Sequence, residues 1–220
     1  IMPIKTKTRA YKGENITVTY DIKRCIHAAA CVRGLPAVFD TEKRPWVQPD
    51  EATADEVAEA VLACPSGALQ FERHDGGANE ATPEKNIIWG DPNGPLYAHG
   101  DIELIDSEGE VILEDTRVGL CRCGASENKP FCDGTHNKIA FQDSGDLTNN
   151  SLGGGDDGDS KVKIRTAPNG PLLLQGQVEV CSADKQTVFE GNKGALCRCG
   201  GSNNKPFCDG THVSLGFEAE

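Results

Sequence analysis

Cys121, Cys123, Cys132 and His136 follow the pattern Cys-x-Cys-x8-Cys-x3-His, and Cys197, Cys199, Cys208 and His212 repeat it. Thiolates are the usual ligands of iron–sulfur clusters, and imidazole replaces some of them in certain sites. Gly124 and Gly200, directly after the second cysteine, permit a sharp turn there. Asp133-Gly134 and Asp209-Gly210 read as a turn or helix N-cap. The Cys-x3-His spacing then sets thiolate and imidazole one helical turn apart on one face. Backbone N–H groups at such a helix start can donate to sulfur and offset its negative charge. Three cysteines and one histidine are also a structural zinc set, although zinc sites more often begin with two or more residues between the first cysteines.

The elements around these donors recur with them. At an offset of 76 residues, Pro92-Asn93-Gly94-Pro95-Leu96 falls on Pro168-Asn169-Gly170-Pro171-Leu172, and alignment runs without insertion to Phe141 on Phe217. From Cys121 to His136 fourteen of sixteen positions are identical, whereas between Asp101 and Gly119 only Glu103 and Glu114 are. The chemistry is fixed and the flanking strands drift as packing permits. Cys181 falls on Ile105 and reads as a strand residue; His99 falls on Gln175 and reads as a surface residue. The recurring Lys129 and Lys205 are candidates for tuning a cluster or touching a partner.

The motif Cys-x-Cys-x2-Ser-x3-Pro-x-Cys-Asp-Gly-Thr-His resembles the CDGSH iron–sulfur family, which includes mitoNEET, over residues 86–220. Thr135 and Thr211 stand where that family has Ser or Ala, and they keep a hydroxyl. The resemblance implies a [2Fe–2S] cluster on Cys121, Cys123, Cys132 and His136, and a second on Cys197, Cys199, Cys208 and His212. It also implies small β-rich modules paired about a pseudo-two-fold, here within one chain, so that a monomer carries its own internal dimer. MitoNEET's membrane anchor has no counterpart here.

The N-terminal third reads as a β-α-α-β unit. Residues 15–21 alternate and are β-branched, residues 50–62 have helical periodicity, and 68–72 return as a strand. Cys25 and Cys31 occupy the outer places of a Cys-x2-Cys-x2-Cys ferredoxin run, with Ala28 in the middle place; Cys64-Pro65 supplies the remote Cys-Pro. With His27 and Trp46, this segment resembles the divergent mono-cluster ferredoxin domain found beside CDGSH motifs. Cys25, Cys31 and Cys64 suit a [3Fe–4S] cluster. A [4Fe–4S] cluster would need a fourth ligand, for which His27 is the nearest candidate.

The expected fold class is therefore α+β. Its domains are a ferredoxin-like domain (1–75), a first CDGSH module (86–143), a flexible acidic linker (144–160) and a second module (161–220). Composition agrees with small modules: apolar residues make up 37 %, aromatics 5 %, and Gly plus Pro number 37 in 220 residues. Modules of ~50–60 residues bury too little surface to be comfortable alone and generally need a metal or partner. The net charge of −12 disfavours nucleic acid and favours a basic partner. No apolar run approaches the ~20 residues that cross a bilayer, and no signal-peptide core follows Met2. A cytoplasmic protein with metal-bound rather than disulfide-paired cysteines is expected. No nucleophile–base pair or phosphate-cradling loop is visible, so no enzyme is expected. The expected function is electron transfer, with a redox partner or cluster-acceptor protein; cluster storage, transfer or pH/redox sensing, and a zinc-stabilised interaction module, are the alternatives.

Overall fold

The computed structural model describes residues 7–154 and 160–219. The chain divides into two units, Ile1–Ala81 and Thr82–Glu220.

In the first unit, strands β1 (Thr8–Lys12), β2 (Ile16–Asp21) and β3 (Leu69–Arg73) form an antiparallel sheet in that order. Between β2 and β3 lie a short helix α1 (Ala30–Gly34), a 3-10 turn (Pro49–Glu51) and helix α2 (Ala54–Leu62). The helical run read over 50–62 is thus split, because Thr53 starts a new helix. Its hydroxyl accepts from Glu56 N, and the Glu56 carboxylate accepts from Thr53 N at 2.9 Å, a reciprocal capping box. Val57 and Val61 of α2 are fully buried with Ile16, Val18, Phe39 and Leu69. Trp46 joins this core through ring contacts with Tyr20 (5.0 Å), Phe39 (6.0 Å) and Tyr11 (6.2 Å).

The second unit is mostly sheet. Strands β4 (Ile87–Gly90), β5 (Leu96–Ile105) and β6 (Val111–Leu120) precede helix α3 (Thr135–Lys138). Strands β7 (Val162–Thr166), β8 (Leu172–Cys181) and β9 (Val188–Leu196) precede α4 (Thr211–Ser214). Each long hairpin is antiparallel, β5 with β6 and β8 with β9. The short strands join the hairpins reciprocally: β4 runs antiparallel to β5 and parallel to β8, while β7 runs antiparallel to β8 and parallel to β5. The pairs repeat at the sequence offset, Ile88 opposite Val180 and Leu104 opposite Ile164. The pairings of β4, β5, β7 and β8 therefore close on themselves, which leaves none of these four as an open edge. Alternate residues of β5 and β8 point inward, and Leu96, Ile102, Leu104, Leu172, Val180, Ile88 and Ile164 are buried at this junction.

Asn86 pins the crossing. Its Nδ2 donates to Ser160 O (2.6 Å) and Gln177 O (2.8 Å), and its Oδ1 accepts from Asp101 N (2.8 Å). The backbone of 144–154 is also held. Ala183 N donates to Gly145 O (2.9 Å), Gly153 N to Lys193 O (2.8 Å), and Asn204 Nδ2 to Ser151 Oγ (3.0 Å). Residues 144–154 of the connection expected to be flexible thus have partners in the sheet and donor loop; 155–159 lie outside the described residues. His99, read from sequence as a surface position, is half-buried with its ring 4.7 Å from Trp89.

Asn86→Leu removes the side-chain partners of three backbone groups and should lower stability by about 3 kcal/mol. Chemical denaturation, followed by loss of sheet signal, reads this directly.

Candidate metal centre

The donors of the second unit come together in pairs. Cys121 Sγ lies 3.8 Å from Cys123 Sγ, and Cys197 Sγ lies 3.7 Å from Cys199 Sγ. These are about the edge length of a tetrahedron with ~2.3 Å metal–sulfur bonds. Cys132 Sγ lies 3.3 Å from His136 Nδ1, and Cys208 Sγ lies 3.3 Å from His212 Nδ1. The imidazole atom turned to the thiol is Nδ1 in both modules.

Local structure explains these positions. Helices α3 and α4 each begin at a glycine with left-handed backbone, Gly134 and Gly210. Neither has a side-chain N-cap; Asp133 and Asp209 instead accept from Thr135 N (2.9 Å) and Thr211 N (3.0 Å) in tight turns. The same aspartates accept at 2.9 Å from Glu127 N and Asn203 N, tying the loop to the helix. Gly134 N and Gly210 N point at Cys132 Sγ (3.5 Å) and Cys208 Sγ (3.4 Å), and Gly201 N points at Cys199 Sγ (3.4 Å). Ser126 and Ser202 brace the loop by donating to Phe131 O (2.7 Å) and Phe207 O (2.6 Å). Lys129 and Lys205, candidate tuning residues in the sequence, donate to the carbonyls of Ser126 and Ser202 within their own loops.

Arg122 and Arg198 were not singled out by the donor pattern, yet both are 1 % exposed. Arg122 Nε donates to Gly94 O (2.9 Å) and Arg198 Nε to Gly170 O (2.7 Å). Each anchors the donor loop to its Pro-Asn-Gly-Pro turn. The repeat held the signal, since the arginine and the turn recur together at one offset.

The two donor loops touch. Cys123 and Cys199 form an isolated antiparallel bridge. Gly124 and Gly200 have φ of +83° and +84°. A Cβ on Gly124 would lie 2.5 Å from Cys199 O, and one on Gly200 would lie 2.6 Å from Cys123 O. Both the turn and the approach of the partner backbone require glycine.

Electrostatics differ within each set. Cys121 is pushed up by its hydrogen bond to Cys123 and by burial, while that bond pulls Cys123 down, against the opposing effect of burial. Burial pushes Cys132 up to about 12 and raises Cys197 and Cys208. Burial also lowers His136, favouring the neutral imidazole that can ligate.

In the first unit, Cys25, Cys31 and Cys64 line one small hollow with Tyr20, Trp46 and Ser66. Cys25 and Cys31 are half-buried and Cys64 is buried. Burial raises Cys31, and Cys64 and then Cys25 raise it further, which places both within electrostatic reach of its thiol. His27 reaches the rim of the hollow, exposed and with left-handed backbone (φ 58°). Tyr20 is raised by burial and then by a hydrogen bond with Cys25. Cys181 stays out of all three sets, buried at the end of β8. His74 bonds Thr17 at the surface.

Among the described residues, no three His, Cys, Asp or Glu side chains surround one point closely enough to hold a single metal ion. The residues present nevertheless fit a multi-iron group. A two-iron cluster takes two donors on each iron, and a cuboidal cluster takes one thiolate per iron. Pairs, or separated single thiols, are what such groups need.

Comparison with known proteins agrees. The family described as iron-binding zinc finger, CDGSH type, matches residues 93–137 and 169–213, and the divergent 4Fe-4S mono-cluster family matches residues 11–74. The chain belongs to the tandem CDGSH proteins with an N-terminal mono-cluster domain. The CDGSH matches enclose all eight donors of the second unit, and the mono-cluster match encloses Cys25, Cys31 and Cys64. A curated relative, the uncharacterized protein YjdI of Escherichia coli K12, is 41 % identical over 66 residues, covering 30 % of this chain and 86 % of that protein. The protein of that name from Escherichia coli O157:H7 matches to the same extent. No solved structure matches the chain significantly. Among the described residues, no helix is long and apolar enough to cross a membrane.

Gly124→Ala and Gly200→Ala should each lower stability by at least ~2 kcal/mol, since a left-handed backbone and a backbone clash act together. Each should also reduce the iron held by both CDGSH modules, because the contact is shared. Thermal melting and iron per chain check the two effects.

Proposed function

We propose that this tandem CDGSH protein transfers electrons. It holds one [2Fe–2S] cluster on Cys121, Cys123, Cys132 and His136, a second on Cys197, Cys199, Cys208 and His212, and a [3Fe–4S] cluster on Cys25, Cys31 and Cys64. The pairing of donors carries this reading: each module brings a Cys–Cys pair at 3.7–3.8 Å and a Cys–His pair at 3.3 Å, two donors for each of two irons. The clusters would supply one-electron chemistry. Burial of His136 favours its neutral, ligating form, and the backbone aims N–H groups at sulfur.

The reciprocal strand pairing supports a pseudo-two-fold between the modules, which makes the monomer its own dimer. It also makes Cys123 and Cys199 direct neighbours, with Cα atoms about 5 Å apart in such a bridge, so no side chain need intervene between the two sets. A four-iron N-terminal cluster would recruit His27 at the rim of the hollow; the three thiols alone suit three irons. Cluster transfer is the second reading, favoured by the half-exposure of Cys199 and Cys208. The net charge of −12 points to a basic protein partner rather than nucleic acid. The donors are all assigned to holding metal, and the reading includes no enzymatic step.

Iron and sulfide analysis of anaerobically purified protein tests the assignment. About seven irons with matching sulfide are expected; about eight would move the N-terminal site to four irons, and about four would leave that site without a cluster. Two zincs with little sulfide would sink the electron-transfer reading.

A protonated imidazole cannot ligate, so acid should strip the CDGSH sites. Visible absorbance should fall as pH drops from 7.5 to 5. The double change His136→Cys/His212→Cys should flatten that profile and lower the reduction potential, because thiolate adds negative charge. A flat profile in the unaltered protein would count against the ligand assignment.

A further inference from the structure

The two CDGSH modules are not equally accessible. All four donors of the first are buried, whereas Cys199, Cys208 and His212 of the second are part exposed. Helix α4 carries His212 and, directly after it, Val213, which is 77 % exposed; Leu215, one residue past the helix, is 57 % exposed. At the 76-residue offset Val213 replaces Asn137, so the first module has a polar residue in that place and only Ile139 matching Leu215. Val213 is the most exposed large apolar side chain among the described residues, and it sits beside a part-exposed donor. Asp209 and Glu218, both exposed, lie on either side of this segment in the chain. An apolar centre within a polar rim is the usual anatomy of a protein interface.

We propose that the α4 face, centred on Val213 and Leu215 and flanked by Asp209 and Glu218, is the docking surface for a redox protein that presents an apolar patch inside a basic rim. The acidity of the whole chain, −12, selects that charge in the partner and steers the encounter. On docking, the reduced chain gives up one electron and the partner gains it; no bond forms or breaks and no proton is required. The Cys123–Cys199 bridge sets the donor loop of the first module against that of the second. The inference rests on the electron-transfer reading above.

The test uses the iron-loaded full chain, reduced with dithionite and mixed in a stopped-flow instrument with ferric cytochrome c, a basic haem protein. The double variant Val213→Ser/Leu215→Ser leaves the charge unchanged and alters only exposed side chains. Its second-order rate constant should fall by about fivefold, the effect of losing an apolar interface contact. The rate for the unaltered chain should fall as salt is added. Oxidation by ferricyanide, which needs no docking surface, should be the same for both proteins. Ile139→Ser should leave the cytochrome c rate unchanged. An unaltered rate in the double variant, or an equal loss in Ile139→Ser, overturns the docking surface while leaving the electron-transfer reading intact. Protein that holds zinc in place of iron and sulfide overturns both.

Discussion

The second unit depends on the contact between its two donor loops. Cys123 and Cys199 pair backbone to backbone, and each following glycine is pressed against the other cysteine's carbonyl. That contact forbids any side chain at Gly124 or Gly200, and it forces both Cys-x-Cys turns to form in each other's presence. The exchange of β4 and β7 between hairpins is the same constraint seen from the sheet. Each module contributes a strand to the other's hairpin, so neither completes its own core alone. Two modules, each of a size that buries little surface alone, thus pack strands against one another, which is how short repeats commonly reach adequate burial.

What could be read from the sequence follows from where the information is local. Donor identity and spacing are local, and so are the turn glycines and the 76-residue repeat; these lead directly to the CDGSH family and its candidate donors. Strands β2 and β3 and most of α2 were also legible, because alternation and helical period show in a single segment. The strand exchange was not, since Ile88 opposite Val180 is a pairing across ninety-two positions, and nothing in either strand names its partner. Strand β1, with only Tyr11 of its five residues buried, shows no alternation to find. Helix α1 is five residues long and caps itself without a side chain, so it has neither period nor signal. Thr53 is the instructive miss: the capping-box residues were visible, but the periodicity on either side hid the break they impose.

Arg122 and Arg198 show a different limit. A fully buried arginine is rare enough that sequence reasoning assigns it to the surface by default. Here the guanidinium satisfies carbonyls of the Pro-Asn-Gly-Pro turn, and Arg122 also pairs with Asp143. Burial is tolerated because the donors have acceptors in place. The position that best explains the loop's rigidity is therefore the one its residue type argues against, and only its recurrence marks it.

Burial also sets the chemistry of loading. Sulfur must be thiolate to ligate, yet a buried thiolate without a counter-charge is costly. Burial favours the protonated form of Cys132, Cys197 and Cys208, and the hydrogen bond between Cys121 and Cys123 raises the first thiol and lowers the second. Metal must displace those protons, so loading releases acid and is opposed by it. The N–H groups of Gly134, Gly210 and Gly201 are directed at sulfur, where they favour the anionic form. The backbone thus supplies donors suited to anionic ligands. The donor loops thus meet through two contributions of different chemistry: the Cys123–Cys199 backbone contact, which involves no charge, and the sulfurs, whose thiolate charge a bound metal would offset.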